Sequence, residues 1–155
     1  MLRLRSSAFP HEAEIPARFT CDGADVSPPL AWSGVPEGTR SLALVVDDPD
    51  APSSTPWVHW VVCDIPPEAT ELEEGASDVA IPLGAREGTN GWGDHGWRGP
   101  APPKGRHRYV FTLYALDKKL PAPRTPSKDD VEAAMRGHVL DRAILVGTYQ
   151  RVHKA

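Results

Sequence analysis

The chain has 155 residues, of which 40% are apolar and 25% are charged, and its formal net charge at pH 7 is −4. These values are those of an ordinary globular protein, so we expect residues 1–155 to form a single domain. The acidic balance argues against nucleic acid as a partner. No apolar run reaches the roughly 20 residues of a membrane span and no signal peptide is evident, so we expect a cytoplasmic protein without stable membrane insertion.

The predicted elements are mostly strands. With 17 prolines and 13 glycines, the composition favours short strands joined by turns over long helices. Extended or strand-like patterns cover residues 2–4, 27–32, 41–46, 57–65, 104–116 and 142–149. The acidic segment over residues 68–74, which follows the strand at 57–65, is interpreted as a surface loop. This order predicts an antiparallel β-sandwich with one short helix near the C-terminus.

The strand over residues 57–65 carries a histidine between apolar neighbours. Alternation places Trp57, His59 and Val61 on one face and the residues between them on the other. Because both faces are apolar, we expect the strand to be covered on both sides. A buried imidazole needs a hydrogen-bond partner, and the carboxylates of residues 47–50, which follow the preceding strand, are predicted to supply one to His59.

A glycine-rich segment over residues 86–105 leads into the strand that carries His107 and Tyr109 on one face. Together with Asp48 and His59, these side chains indicate a site for a small anion. Four nearby cations are expected to raise the local potential: Arg98, Lys104, Arg106 and Arg108. Asp48 suits an anion site only if it orients or charges a histidine or is itself protonated.

The predicted helix has Ser127 as its N-cap and Asp130 in the capping-box position. Its apolar stripe is predicted to include Val131, Ala134, Met135 and His138. Gly137 is predicted to end the helix. On this pattern, His138 is a packed residue at the helix end and not a ligand.

Several motifs together resemble the phosphatidylethanolamine-binding protein family, also called Raf kinase inhibitor proteins. Its two signature regions are matched by Asp48-Pro49-Asp50-Ala51-Pro52 with Trp57-Val58-His59, and by Gly99-Pro100-Ala101-Pro102-Pro103 with His107-Arg108-Tyr109. Residues 19–23, 27–32 and 147–149 resemble the compact bacterial and archaeal YbhB/YbcL branch. The resemblance covers nearly the whole chain in the same order.

The resemblance implies a β-sandwich whose pocket accepts phosphate or a phosphoethanolamine-like group, with no metal, other cofactor or catalytic residue. The ligand-binding positions it implies are Asp48, Pro52, Trp57, His59, Gly99, Ala101, His107 and Tyr109, with a backbone N–H facing the ligand at Ala101. Ala101 stands where many bacterial members have cysteine, and Trp92 and Trp97 replace other rim aromatics. The resemblance also implies a homodimer with a rather open pocket and, by analogy alone, regulation of a kinase or another protein partner.

Two alternatives to a binding protein remain open at this point. Asp48, His59 and His107 have the residue types of a metal-dependent or water-activating hydrolase, although short metal-motif spacing and a Gly-x-Ser-x-Gly elbow are absent. The two histidines could instead simply satisfy each other or backbone groups inside the fold. We also predict at least one cis X-Pro bond in residues 48–52 or 98–103, where it would shape the pocket wall.

Overall fold

The computed structural model describes residues 1–151, which form two antiparallel sheets packed face to face. The strands are β1 (Arg3–Arg5), β2 (Leu30–Ser33), β3 (Ser41–Asp48), β4 (Trp57–Ile65), β5 (Glu71–Leu72), β6 (Arg86–Glu87), β7 (His107–Leu116) and β8 (Val139–Tyr149). The helices are a 3-10 turn (Ala17–Phe19) and α1 (Lys128–Met135). The sheets have the orders β1-β2-β5 and β6-β4-β3-β7-β8. The predicted fold class is confirmed.

The main core lies between the two sheets. Side chains such as Leu4 and Trp32 of the small sheet pack there with Val46, Phe111 and Leu145 of the large one. The other face of the large sheet is covered in part by α1, where Val131 and Met135 meet apolar residues of β3 and β4. Burial on both faces explains why β3 and β4 are almost continuously apolar.

A β-bulge in β4 sets the direction of the residues that precede Trp60. Val46 pairs with Trp60, but Asp47 pairs with Val58, so His59 is an extra residue in the ladder. Such an extra residue reverses the alternation beyond it. Val58 therefore packs with Val61 on the α1 side, whereas His59 contacts Tyr109 of the inter-sheet core. The predicted sharing of one face by His59 and Val61 is wrong for this reason.

The helix α1 has the predicted capping box. Ser127 Oγ accepts from the Asp130 N–H, and the Asp130 carboxylate accepts from the Ser127 N–H, both at 3.0 Å. The helix ends at Met135, before Gly137, which has a φ of +79°. His138 therefore lies outside the helix and bonds Asp117 at 2.8 Å. Its predicted place on the helical stripe is wrong because the left-handed glycine turns the chain first.

Three further details differ from the sequence-based expectations or extend them. The expected surface loop at 68–74 contains β5, whose Leu72 is buried and pairs with Leu30. The two-residue strand β6 is too short to leave a periodic pattern. Every peptide bond in residues 1–151 is trans, so the predicted cis X-Pro bond is wrong. None of the helices within that range is long and apolar enough to cross a bilayer.

Candidate functional site

A cavity of about 250 Å³ opens at the end of the large sheet where β3 ends and β4 and β7 begin. It is lined by Asp48, Ala51, Pro52, Ser53, Trp57, His59, Trp92, Ala101, Pro102, Pro103, His107 and Tyr109. The structure thus brings together every predicted ligand residue except Gly99. Four lining residues were not predicted as ligand residues, because nothing in their residue types distinguishes them from an ordinary turn or loop: Ala51, Ser53, Pro102 and Pro103.

Asp48 is paired with His107 at the base of the cavity. Its Oδ2 lies 2.7 Å from His107 Nδ1, and its Oδ1 accepts from the Asp50 N–H at 2.8 Å. Both side chains are buried, with 5% and 9% of their side-chain surfaces exposed. The expectation that this carboxylate partners His59 is wrong, because β7 brings His107 against Asp48 instead. Both Asp48 oxygens are engaged by donors, so the carboxylate orients His107 and does not need a ligand.

His59 is held by the segment on the opposite side of the cavity. Its Nδ1 lies 2.5 Å from the Arg98 carbonyl oxygen, and the Arg98 N–H donates back to the His59 carbonyl at 3.1 Å. Because a carbonyl oxygen only accepts, Nδ1 carries the hydrogen. Burial lowers the pKa of His59 below its ordinary value, and the Arg98 carbonyl offsets only part of this shift. The neutral ring therefore dominates at pH 7.

Tyr109 lies between the two histidines. Its ring is edge-on to His59, with centroids 5.2 Å apart, and nearly parallel to His107 at 6.5 Å. The Tyr109 hydroxyl is buried and has no hydrogen-bond partner within residues 1–151. Burial raises the pKa of this phenol, and the charge of the nearby Asp48 carboxylate and its interaction with the hydroxyl raise it further, so the hydroxyl keeps its hydrogen. The cavity therefore contains a donor that the described protein leaves unused.

The wall formed by residues 98–103 is braced by an N-terminal turn. The Gly99 N–H donates to Asp25 Oδ1 at 2.9 Å, and the Cys21 N–H donates to the Pro100 carbonyl at 3.0 Å. A side chain at Gly99 would collide with the carbonyl of Phe19 and with Asp25. Gly99 thus shapes the wall but is not among the residues that line the cavity, and its predicted ligand contact stays a prediction. Ala101 does line the cavity, and its N–H makes no hydrogen bond to another described residue.

The rim of the cavity is aromatic. Trp92 is edge-on to both Trp57 and His59, with centroids 5.6 Å and 5.1 Å apart. The Arg98 guanidinium lies over the Trp92 ring at 4.8 Å. Trp97 instead packs in the core against Trp60 and does not line the cavity. The wall is therefore apolar except for the few donors and acceptors described above.

The cations expected to raise the local potential are mostly paired with carboxylates. Arg108 binds Asp50 through two side-chain nitrogens and its own N–H, which lowers the pKa of Asp50 to about 2. The two remaining pairs are Arg98 with Asp94 at 3.2 Å and Arg106 with Glu14 at 3.5 Å. These three arginines are therefore largely neutralised by neighbouring carboxylates.

The metal-site alternative lacks a suitable donor arrangement. Within residues 1–151, no group of three His, Cys, Asp or Glu side chains is placed to hold a metal ion. The set of Asp48, His59 and His107 divides into a bonded pair and a histidine tied to the Arg98 carbonyl. Among the residues that line the cavity, Ser53 is the one serine or threonine that could serve as a nucleophile. Its hydroxyl donates to the Thr55 carbonyl at 2.6 Å.

A protein-family model, two relatives and a solved structure each match most of this chain. The family model described as phosphatidylethanolamine-binding protein matches residues 5–150. A UPF0098 protein of Methanothermobacter thermautotrophicus is 52% identical, over 97% of this chain and 99% of its own length. A UPF0098 protein of Aquifex aeolicus is 44% identical, over 97% and 90%. The crystal structure of Escherichia coli YbcL, described as a new member of the mammalian PEBP family, superposes with a TM-score of 0.91 at 34% identity, covering 97% of this chain and 98% of YbcL.

Proposed function

Because the chain belongs to the phosphatidylethanolamine-binding protein family, we propose that its cavity is a binding site for a small phosphoryl anion such as phosphate or the phosphoryl group of phosphoethanolamine. The observation that carries the proposal is the buried Tyr109 hydroxyl, which has no partner among the described residues. A buried donor left without an acceptor costs about 1–3 kcal/mol. An anionic oxygen in the cavity would remove this cost.

The other cavity groups suit the same ligand. His107 is fixed by Asp48 through Nδ1 and lines the cavity, so its Nε2 is the ring atom available to a ligand. The Ala101 N–H supplies a further donor at the wall. Asp48 has both oxygens engaged, so it opposes an anion less than a free carboxylate would. The cavity volume of about 250 Å³ admits a tetrahedral anion and a short substituent.

We propose binding without chemical conversion. A hydrolase would need a nucleophile activated by one of the histidines. Ser53 gives its hydrogen to the Thr55 carbonyl and makes no hydrogen bond to either histidine. A phosphatase and esterase screen of the purified protein tests this part of the proposal. Turnover that disappears in His107→Ala would contradict it.

The binding proposal is tested by titrating phosphate and O-phosphoethanolamine while following the histidine side chains by NMR. We expect saturable shifts at His59 and His107, and binding of both ligands weakened about tenfold in Tyr109→Phe, because one charge-assisted hydrogen bond is lost. Tyr114→Phe is the matched control. Tyr114 lies on the same strand but packs on the α1 side. Equal affinities for wild type and Tyr109→Phe would remove Tyr109 from the site, and absence of any shift at millimolar ligand would refute the anion site.

A further inference from the structure

A second concave surface lies at the end of the large sheet opposite the cavity. There the start of β3 and the end of β7 meet, because Ser41 pairs with Leu116, and the end of β4 lies beside them. The groove at this end has a volume of about 770 Å³ and shares no lining residue with the cavity. The eight residues of β3 span the distance between the two sites, which is roughly 25 Å. The groove is therefore a separate feature of the surface.

Three cationic side chains line this basic groove: Arg40, Lys118 and Lys119. None of the three forms an ion pair with a carboxylate of residues 1–151. Their backbones are nevertheless held in place. The Arg40 N–H donates to the Leu116 carbonyl at 2.7 Å, and the Lys118 carbonyl accepts from Ser41 Oγ at 2.6 Å. The groove thus presents fixed cations whose charges are not balanced by nearby acids.

The two carboxylates that line the basic groove do not cancel this charge. Asp64 is engaged at both oxygens, since Oδ2 accepts from Arg86 at 2.7 Å and Oδ1 accepts from the Leu120 N–H at 2.9 Å. Glu68 is exposed and forms no ion pair within the described chain. With Asp64 balanced by Arg86, three positive charges face one negative charge. The groove is therefore positive on a chain whose net charge is −4.

The basic groove also offers apolar surface and backbone donors. Leu83 is 97% exposed, so it contributes almost nothing to the core, and Pro66 and Pro67 line the groove beside it. The N–H groups of Lys118 and Lys119 make no hydrogen bond to another described residue. Unpaired cations, free N–H groups and an exposed leucine together match a segment that carries carboxylates next to an apolar side chain.

The size of the basic groove favours an extended ligand over a compact one. Its volume of about 770 Å³ compares with about 250 Å³ for the cavity. A compact anion would contact only part of such a groove. An extended peptide can reach all three cations and Leu83 at once, and a concave surface suits a peptide better than a flat membrane.

We propose that the basic groove is a docking site for an acidic segment of a partner protein. Carboxylates of the segment bind Arg40, Lys118 and Lys119, and an apolar side chain of the segment packs against Leu83. The inference is independent of the anion proposed for the cavity, because the two sites share no residue. The two ends of the large sheet would then bind two different ligands at the same time.

The probe for this site is a fluorescein-labelled peptide of glutamates with one central leucine, titrated by fluorescence anisotropy at low ionic strength. We expect saturable binding that weakens as salt is added, and an affinity about fivefold lower in Lys118→Gln/Lys119→Gln, because two ion pairs are lost. Arg3→Gln/Arg5→Gln is the matched control, since it changes the net charge equally at two exposed cations outside the groove. No binding to wild type, or an equal loss in both double variants, would overturn the proposal.

The apolar part of the proposal has its own variant. We expect Leu83→Ser to lower the affinity for the same peptide about threefold, because apolar contact area is lost. A peptide with serine in place of its leucine is expected to show the same loss on the wild-type protein and no further loss on Leu83→Ser. Unchanged affinities in both comparisons would contradict a contact between the peptide and Leu83.

Three other occupants are separated by the same double variant. Tripolyphosphate bound more tightly than the peptide would assign the groove to a small polyanion. Cosedimentation with phosphatidylserine vesicles that is lost in Lys118→Gln/Lys119→Gln would assign it to a lipid surface, and self-association lost in that variant would assign it to a second copy of this chain. Each of these results would overturn the assignment to an acidic segment of a partner.

The location of the bound peptide is read by amide NMR. We expect shifts at Gly84, Lys118 and Lys119, which line the groove, and an unchanged phosphate affinity of the cavity in Lys118→Gln/Lys119→Gln. Peptide-induced shifts at His59 and His107 alone would place the peptide in the cavity and contradict the proposal. Failure of phosphate to bind would remove the proposed function and leave the basic groove untouched.

Discussion

The two cavity histidines are both buried, yet they differ in the group that holds them. His107 is oriented by the carboxylate of Asp48, and His59 by the carbonyl of Arg98. A carboxylate stabilises an imidazolium, whereas a carbonyl in a dry site gives much weaker support to the charge. The two rings therefore differ in the kind of group that fixes their Nδ1 atoms, a carboxylate at His107 and a backbone carbonyl at His59.

The lowered pKa of His59 has a consequence for stability. The unfolded chain has an ordinary histidine pKa near 6.5, and burial lowers the pKa of His59 in the folded chain. Protons therefore bind more readily to the unfolded state, and the contribution of neutral His59 is complete above pH 6.5 and is lost as the pH falls below that value. We expect the free energy of unfolding, measured in urea, to fall less between pH 7 and pH 5 in His59→Phe than in wild type.

The pKa of His95 is shifted in the opposite direction to that of His59. Its hydrogen bond to Asp78 raises its pKa, so its stabilising contribution is present at acidic pH and is lost as the pH rises through the folded pKa. Both partners are exposed to solvent, which keeps the effect small. We expect His95→Phe to retain the wild-type loss of stability toward acid. An unchanged acid dependence in His59→Phe would show that His59 is not the group responsible.

At the residue scale, the sequence predicted which side chains lie together at the cavity but not which hydrogen bonds they form. Alternation along β7 correctly placed His107 and Tyr109 on one face. The pairing of Asp48 with His107 and of His59 with Arg98 depends on strand order and on a loop about 40 residues away in the chain, which local patterns do not encode.

At the scale of elements, the cavity depends on one bulge and one loop. The bulge at His59 changes the alternation in β4, and a sequence pattern cannot show it because both faces of the strand are apolar. The loop at 98–103 is tied to the turn that contains Asp25, 74 residues earlier. The composition of this loop did indicate its role, because glycine lets the backbone at residue 99 approach Asp25 closely and proline stiffens the wall.

Replacement of Gly99 tests the contribution of this loop. In Gly99→Ala, the new Cβ would collide with the Phe19 carbonyl and with Asp25, so the wall must move. We expect a loss of stability of about 1–3 kcal/mol and a weaker affinity for phosphate by titration. Gly105→Ala is the control: Gly105 has a φ of +72° and free space around it, so alanine there adds backbone strain without a collision. Equal phosphate affinities in the two variants would argue against a role for the Gly99 contact.

At the scale of the whole molecule, the large sheet separates two packed regions. The cavity opens on the inter-sheet side, and α1 packs on the other side. The order of predicted strands was sufficient to indicate two antiparallel sheets, since strongly periodic segments determine the architecture. The two-residue strands β5 and β6 complete the sheets but leave no periodic signal.

This separation predicts that the stability of α1 and the affinity of the cavity are independent. Ser127→Ala removes the side-chain acceptor of the capping box. We expect the free energy of unfolding to fall by about 1 kcal/mol while the dissociation constant for phosphate stays unchanged. Urea denaturation and calorimetry measure the two quantities on one preparation. A parallel loss of affinity would reveal coupling through Lys128, which binds Asp47 next to Asp48.

The hydrogen bond between the Gly99 N–H and Asp25 also has a consequence for the folding of the chain. Its two ends are 74 residues apart, and the Asp48–His107 pair joins residues separated by 59. Contacts of such long range form slowly, because the intervening chain must be ordered first. The cavity therefore acquires its shape only when the N-terminal turn and the large sheet have come together. An anion bound as proposed would stabilise only this finished state, by mass action.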